Sequence, residues 1–326
     1  MLVAFVVLGI VFGIFAALRN WWNTPSHRSG FIVTIAISPD DRTIAFTGRG
    51  KGGQDIYILN VARSKVNRLT NSSSFESFPS FSPDGTKIAF SVGLVGEIAD
   101  HIAIINTDGT NPKQLTHDRA NDSFPTFSRD GTRITFTRDS DYKWGGLASN
   151  WYSHGEVHVV NVDGTGLTNL TPGTIDGHRP VFSTDDQSVF YFTNRGVSTV
   201  PTDGKGQAAH VLSLGDSYSR SLTSDRSQVV FVSGGTMVKS ELEIATLDGQ
   251  KRRQLTSYTP TGGYEEPPVV SNSGQYIYFI KSNFIRQAMV RELWRMDFDG
   301  GNPIKLAGQE LFDDPMAWNA ANEIRE

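Results

Sequence analysis

Cysteine is missing from all 326 residues, which removes disulfides, thiol nucleophiles and cysteine-bound metals from consideration. That absence does not choose a compartment, because a reducing cytoplasm and a bridge-free exported protein both permit it. A one-sided charge is missing as well: 30 basic residues stand against 34 acidic ones, a formal net of −4. A dedicated nucleic-acid binder would gather a basic excess on one face, so nucleic acid is not an expected partner. No Gly-x-Ser-x-Gly elbow or Gly-x-x-x-x-Gly-Lys phosphate loop occurs in the chain, and with them go the commonest hydrolase and nucleoside-triphosphate signatures. What the chain does hold is 32 glycines, 14 prolines and 11% aromatic residues. That mixture favours short strands separated by many turns.

Residues 1–18 are a separate object, an apolar run with no charged side chain. As a helix at 1.5 Å per residue they would span about 27 Å, enough to cross the hydrocarbon core. A cleaved signal peptide would need a basic start and a small-x-small cleavage site, and neither is present. The run therefore predicts an uncleaved transmembrane anchor, with Arg19, Trp21 and Trp22 at the lipid interface. Gly9, Gly13 and Ala17 recur every four residues, so on a helix they share one face that lets another membrane helix approach closely. Residues 19–30 read as a polar linker. Arg19 and Arg28 follow the run and no basic residue precedes it, which by the positive-inside rule puts the following domain in the cytoplasm.

The rest of the chain is one unit repeated. Ile37-Ser-Pro-Asp-Asp-Arg-Thr-Ile-Ala-Phe46, Phe81-Ser-Pro-Asp-Gly-Thr-Lys-Ile-Ala-Phe90 and Phe127-Ser-Arg-Asp-Gly-Thr-Arg-Ile-Thr-Phe136 are near copies, with weaker ones beginning at Phe182, Leu222 and Val270. Each is followed by a second signature, five of them containing Asp-Gly: Asp108, Asp163, Asp203, Asp248 and Asp299 precede glycine. In Ser-Pro-Asp-Gly, proline presets φ, aspartate bonds the turn backbone and glycine tolerates positive φ. The flanking runs alternate as strands. Four strands in about 45 residues, repeated radially, is the signature of a propeller blade. The expected fold is all-β: a six-bladed β-propeller of four-stranded antiparallel blades over residues 31–320, preceded by one transmembrane helix and followed by a tail, residues 321–326. Phe312-Asp-Asp-Pro-Met-Ala-Trp318 resembles a seventh first strand, which would clasp the first blade or pack outside the ring.

The pairing of Ser-Pro-Asp-Gly-x-x-Ile-Ala-Phe with Asp-Gly-x-x-x-x-x-Leu-Thr resembles the Pro-Asp β-propeller repeat of TolB-type proteins, with related propellers in the prolyl-oligopeptidase and dipeptidyl-peptidase groups. That resemblance implies a six-bladed scaffold, usually periplasmic, that binds protein partners through its faces or central channel. On the side of the membrane it opposes the charge rule, and both placements stand.

Three features carry candidate chemistry. His154, Glu156 and His158 alternate along a strand and would share one face, as zinc ligands do. The repeat aligns Glu156 with Asp55, His101, Glu241 and Glu292, which marks a structural position, so no metal or cofactor is expected. Glu76, Asp122, Asp176, Asp216, Glu265 and Asp313 each precede a first strand. In a closed ring they would circle one channel mouth and attract a cation or basic peptide; alternatively, each bonds the backbone at the start of its own strand. The longest insertion, residues 139–154, holds Tyr142, Trp144, Trp151 and Tyr152, residue types that anchor protein interfaces.

Together these features predict a non-enzymatic, membrane-anchored scaffold or accessory subunit in a bacterial inner-membrane complex. Its partners would be other membrane subunits and the lipid bilayer. The competing reading is a ligand-binding or enzymatic propeller that takes a peptide, sugar or cation at the channel mouth.

Overall fold

A computed structural model describes residues 33–50, 53–93, 99–139, 155–174, 176–215, 217–236, 239–256, 262–264, 267–285 and 288–318. The proposed anchor and linker, the aromatic insertion and the tail lie outside them. Among the described residues no helix is long and apolar enough to cross a membrane.

The chain folds as consecutive antiparallel runs of strands. The first comprises β1 (Ile35–Ile37), β2 (Thr43–Arg49), β3 (Gln54–Asn60) and β4 (Lys65–Arg68), and the second β5 (Phe75–Phe81), β6 (Lys87–Gly93), β7 (Asp100–Asn106) and β8 (Lys113–Gln114). Next come β9 (Asn121–Phe127), β10 (Arg133–Asp139), β11 (Glu156–Asn161) and β12 (Thr168–Asn169), then β13 (His178–Phe182), β14 (Ser188–Thr193), β15 (Gly196–Pro201) and β16 (Ala209–Ser213). The fifth run is β17 (Ser217–Leu222), β18 (Gln228–Thr236), β19 (Lys239–Thr246) and β20 (Arg252–Gln254). The last is β21 (Gly262–Tyr264), β22 (Val269–Val270), β23 (Tyr276–Ile285), β24 (Ala288–Asp297) and β25 (Ile304–Ala307). This is an all-β propeller. The repeat predicts six separate four-stranded sheets, whereas among the described residues the sheets number five: one of eight strands, three of four and one of five. The eight-stranded sheet arises because β3 and β5 share a single parallel pair, Gln54 with Phe75.

The repeat signatures act through specific bonds. In five of the six first turns the serine or threonine hydroxyl donates to the aspartate two residues on, as in Ser38–Asp40, Ser82–Asp84 and Ser128–Asp130, all at 2.6 Å. That carboxylate also accepts the N–H two residues later, from Arg42, Thr86 and Thr132 respectively. These donors hold Asp40, Asp84 and Asp130 below the usual carboxylate range, the hydroxyl hydrogen bond contributing most. The Leu-Thr ending closes the unit: Thr70, Thr116, Thr171 and Thr256 accept the N–H of Ile56, Ile102, Val157 and Leu242 at 2.8–3.0 Å. A buried N–H of the third strand, turned away from the strand ladder, is thereby satisfied.

Packing explains why one unit cannot stand alone. Successive side chains of a strand point to opposite faces. Ile88 and Phe90 accordingly join a cluster with Ala45 and Ile56 of the preceding run, while Ala89 joins one with Ile134 and Phe136 of the following run. Among the described residues six such clusters fill the gaps between neighbouring runs. One of them unites the chain's beginning and end, holding Ile44 and Phe46 with Tyr278 and Leu293. The terminal segment that resembles a seventh first strand is instead a short helix, α1 (Glu310–Asp313). Its Leu311 and Phe312 are fully buried in that closing cluster, and Phe312 meets Phe46 edge to face at 6.1 Å. The β2 edge is already paired with β1, so the segment closes the ring by packing and not by adding a strand.

Candidate functional site

The first strands of successive runs stand side by side around a central channel. They enclose a cavity of about 820 Å³ lined by Thr34 to Ile37, Phe78 to Pro83, Phe124 to Arg129, Arg179 to Thr184, Arg220 to Leu222 and Pro267 to Val270, among others. A backbone irregularity shapes its wall. Phe78, Phe124, Arg179 and Ser219 occupy the same place in four first strands, and all have φ between +50° and +56°. Pairing slips at each of them, between Ser77 and Ser80 in β5 and between Tyr218 and Arg220 in β17, for example. Such a conformation at a non-glycine residue costs on the order of 1 kcal/mol and persists only where the surroundings enforce it. A bulge re-aims side chains, and here it brings rings from neighbouring units together. Phe78 and Phe124 lie 4.0 Å apart between centroids, and the Arg179 guanidinium sits 4.3 Å from the Phe124 centroid. The Phe78 N–H also crosses to the preceding run, donating to Thr34 Oγ1 at 3.1 Å. The result is a wall of phenylalanine, proline and arginine, suited to an apolar or aromatic segment with an anionic group.

Of the six acids expected at a channel mouth, four are among the described residues. None of the four described ones lines the cavity. Glu76 is buried, its carboxyl receiving the Ser72 hydroxyl at 2.5 Å and the Thr70 hydroxyl at 3.1 Å. Burial, reinforced by the neighbouring Asp55, pushes Glu76 up to about 7 against the pull of those hydroxyls. Asp122 is fully buried and takes a forked pair of bonds from Arg138, at 2.8 and 2.9 Å; Arg138 also reaches Asp118 at 2.9 Å. Asp176 is half-buried and Asp313 lies exposed on α1. Asp216 and Glu265 lie outside the described residues. Glu76 and Asp122 are thus bonded locally, beside the start of their own strands.

Of the zinc-like trio, His154 lies outside the described residues. Glu156 accepts the Asn169 side-chain amide at 2.8 Å and the Gly173 N–H at 2.7 Å, while His158 stacks on Phe136 at 5.8 Å. Burial and the charge of Arg138 lower the His158 pKa. No group of three His, Cys, Asp or Glu side chains placed to hold a metal occurs among the described residues. Gly9, Gly13, Ala17, Tyr142, Trp144, Trp151 and Tyr152 are likewise outside them. Sequence reasoning placed Phe78, Phe124 and Arg179 at the first strands but did not assign Phe78 and Phe124 to the channel wall. Their shared signal is an aromatic or basic residue directly before proline, at Pro79, Pro125 and Pro180.

Residues 26–143 match the family model described as TolB beta propeller domain. A 61-residue stretch is 41% identical to the Tol-Pal system protein TolB of Francisella tularensis subsp. mediasiatica (strain FSC147), covering 19% of this chain and 14% of that one. The Protein TolB homolog of Chlorobium chlorochromatii (strain CaD3) is 43% identical over 51 residues, 16% of this chain and 12% of its own length. The chain thus matches only about a seventh of the length of these curated relatives. Among solved structures, TolB from Acinetobacter baumannii superposes with a TM-score of 0.64 at 17% identity, covering 86% of this chain and 66% of that one. An oligogalacturonate lyase in complex with manganese gives 0.58 at 16% identity, covering 83% and 75%. At such identities the structural likeness concerns the fold alone, a β-propeller.

Proposed function

We propose that this chain is a six-bladed propeller, with its eight-stranded sheet counting as two blades, that binds protein partners and does not catalyse a reaction. It serves as an accessory subunit of a bacterial envelope assembly of the kind to which the TolB relatives belong by name. Residues 1–18 anchor it in the inner membrane and the propeller faces the periplasm, as the TolB resemblance favours. The observation that carries the reading is the contiguous row Phe78–Phe124–Arg179 in the channel wall. Aromatic and arginine side chains dominate the energetics of protein interfaces, and three adjoining units accept an uncommon backbone conformation to present them.

A photo-crosslinking residue placed at Phe78, and separately at Trp144, tests this in detergent-extracted membranes. Each site should give a discrete crosslinked protein, and native mass should exceed that of the monomer. Migration as an isolated monomer carrying a stoichiometric small ligand would overturn the scaffold reading in favour of a ligand-binding or enzymatic propeller. Replacing Gly9 and Gly13 with leucine should release the protein from its complex if those residues pack against another membrane helix. Protease access to a C-terminal tag in spheroplasts reports the side of the membrane, and protection there would refute the periplasmic placement.

A further inference from the structure

The channel has two mouths, and the one carrying the Ser-Pro-Asp-Gly turns holds a feature the repeat does not explain. The second position of that turn is proline at Pro39 and Pro83 but Arg129 in the third unit, and the fourth position is glycine or aspartate in every unit except the fifth, which has Arg226. Both arginines line the cavity. Arg226 has φ +59°. Its Nε donates to the Phe182 carbonyl and its Nη1 to the Thr223 carbonyl, each at 2.9 Å. Those bonds hold the guanidinium between the fourth and fifth turns with neutral partners. Arg129 is exposed.

The nearby carboxylates are engaged elsewhere. Asp186 accepts the N–H groups of Arg129 and Asp130 at 2.8 and 3.0 Å. Asp225, the one acid among the described residues lining the cavity, bonds the Thr223 hydroxyl and the N–H and hydroxyl of Ser227. Asp130 bonds Ser128 and Thr132. Burial, and next the charge of Arg129, push Arg226 down to about 10, against the opposing pull of Asp225 and Asp186. Arg129 of the third unit and Arg226 of the fifth line one cavity, where a bound anion would offset both charges.

We propose that Arg129 and Arg226 form a two-guanidinium site for an oxyanion, carboxylate or phosphate, on a ligand that enters the channel from the turn face. The site rests on the propeller channel alone and stands whether or not the protein works as a scaffold. Isothermal titration of the full chain in detergent with glutarate, inorganic phosphate and an acetylated, amidated Gly-Glu-Gly-Glu peptide tests it. At least one probe should bind one-to-one at low salt, and the tightest identifies the source as free acid, phosphate or peptide. The exposed Arg129→Gln change should weaken that binding by about tenfold or more; Arg226→Lys, which keeps the charge but loses the fork, should weaken it less. Absence of binding by all three probes, or unchanged affinity in Arg129→Gln with its thermal midpoint intact, would overturn the site.

Discussion

The carboxylate of Asp41 accepts the backbone N–H groups of Asn272 at 2.8 Å and Ser273 at 3.0 Å, across 231 residues of chain. Asn272 answers by donating its side-chain amide to the Ser38 carbonyl at 3.2 Å. Asp186 makes the same clasp on the turn of the preceding unit, at Arg129 and Asp130. Both aspartates occupy the fourth turn position with φ near +58°, where the other units mostly place glycine. An unfavourable backbone conformation is therefore kept because the side chain it presents ties one unit to the last. At Asp41 that tie is also the closure of the ring.

From this follows a ranking of substitutions. Asp41→Ala loses two charge-assisted bonds and leaves a Cβ residue in the left-handed region, so it should cost about 2 kcal/mol. Asp41→Gly loses the same bonds but relieves the backbone, and should be less destabilised than the alanine variant by roughly 1 kcal/mol. Urea denaturation of the three proteins checks both steps. Equal midpoints throughout would show that the clasp contributes nothing to closure.

The repeat, its turns and its strand order were legible in the sequence because each is written locally. Ser38, Asp40 and Thr43 bond within five residues, and Ile88 and Ala89 declare their faces by alternation. What was not legible depends on contacts between units. Whether Asp122 faces a channel or a partner depends on Arg138, 16 residues away on the next strand. The inward turn of Phe78 depends on a positive φ that the Phe-Pro pair does not announce. The terminal helix depends on an edge already occupied by β1. The destination of Glu76 and Asp122 was set by burial and pairing.

Phe312 offers a test of closure by packing. It is fully buried against Phe46 in the cluster shared by the first and last runs. Phe312→Ala should cost about 3–5 kcal/mol through lost burial and the cavity left behind. Met316, nearby but 47% exposed, should tolerate alanine within about 0.5 kcal/mol. Thermal unfolding distinguishes them, and comparable small shifts for both would mean that the helix does not hold the ring closed.

Glu76 makes stability depend on pH in a particular direction. Its folded value, raised to about 7 from 4.5, lies above that of the unfolded chain, burial being the main cause. The folded state therefore binds the extra proton, and the stability it contributes is lost as pH rises from about 4.5 through 7. Asp55, also raised by burial, acts in the same sense. Asp40, Asp84 and Asp130 are lowered by their turn bonds and act oppositely, losing stability only as pH falls into the acid range. Glu76→Gln mimics the protonated form, so its stability relative to the parent should improve between pH 5 and pH 8. A constant difference across that range would assign Glu76 an ordinary pKa.

Arg138 and Asp122 decide whether the buried acids are structural. Asp122 is fully buried and receives Nε and Nη2 of Arg138, while Arg138 lies against the Phe136 ring at 5.5 Å. Arg138→Met keeps the stem that packs on the ring but leaves a buried carboxylate without its cation, and should cost about 3–5 kcal/mol. Adding Asp122→Leu removes the stranded charge, so the double variant should recover most of that loss. Were Asp122 a ligand-facing group of a channel mouth, Arg138→Met would be mild, because water would solvate the carboxylate. The double variant would then gain nothing. A double-mutant cycle with a coupling energy well above 1 kcal/mol places this acid in the framework of its own unit and leaves recognition to Phe78, Phe124 and the arginines of the channel.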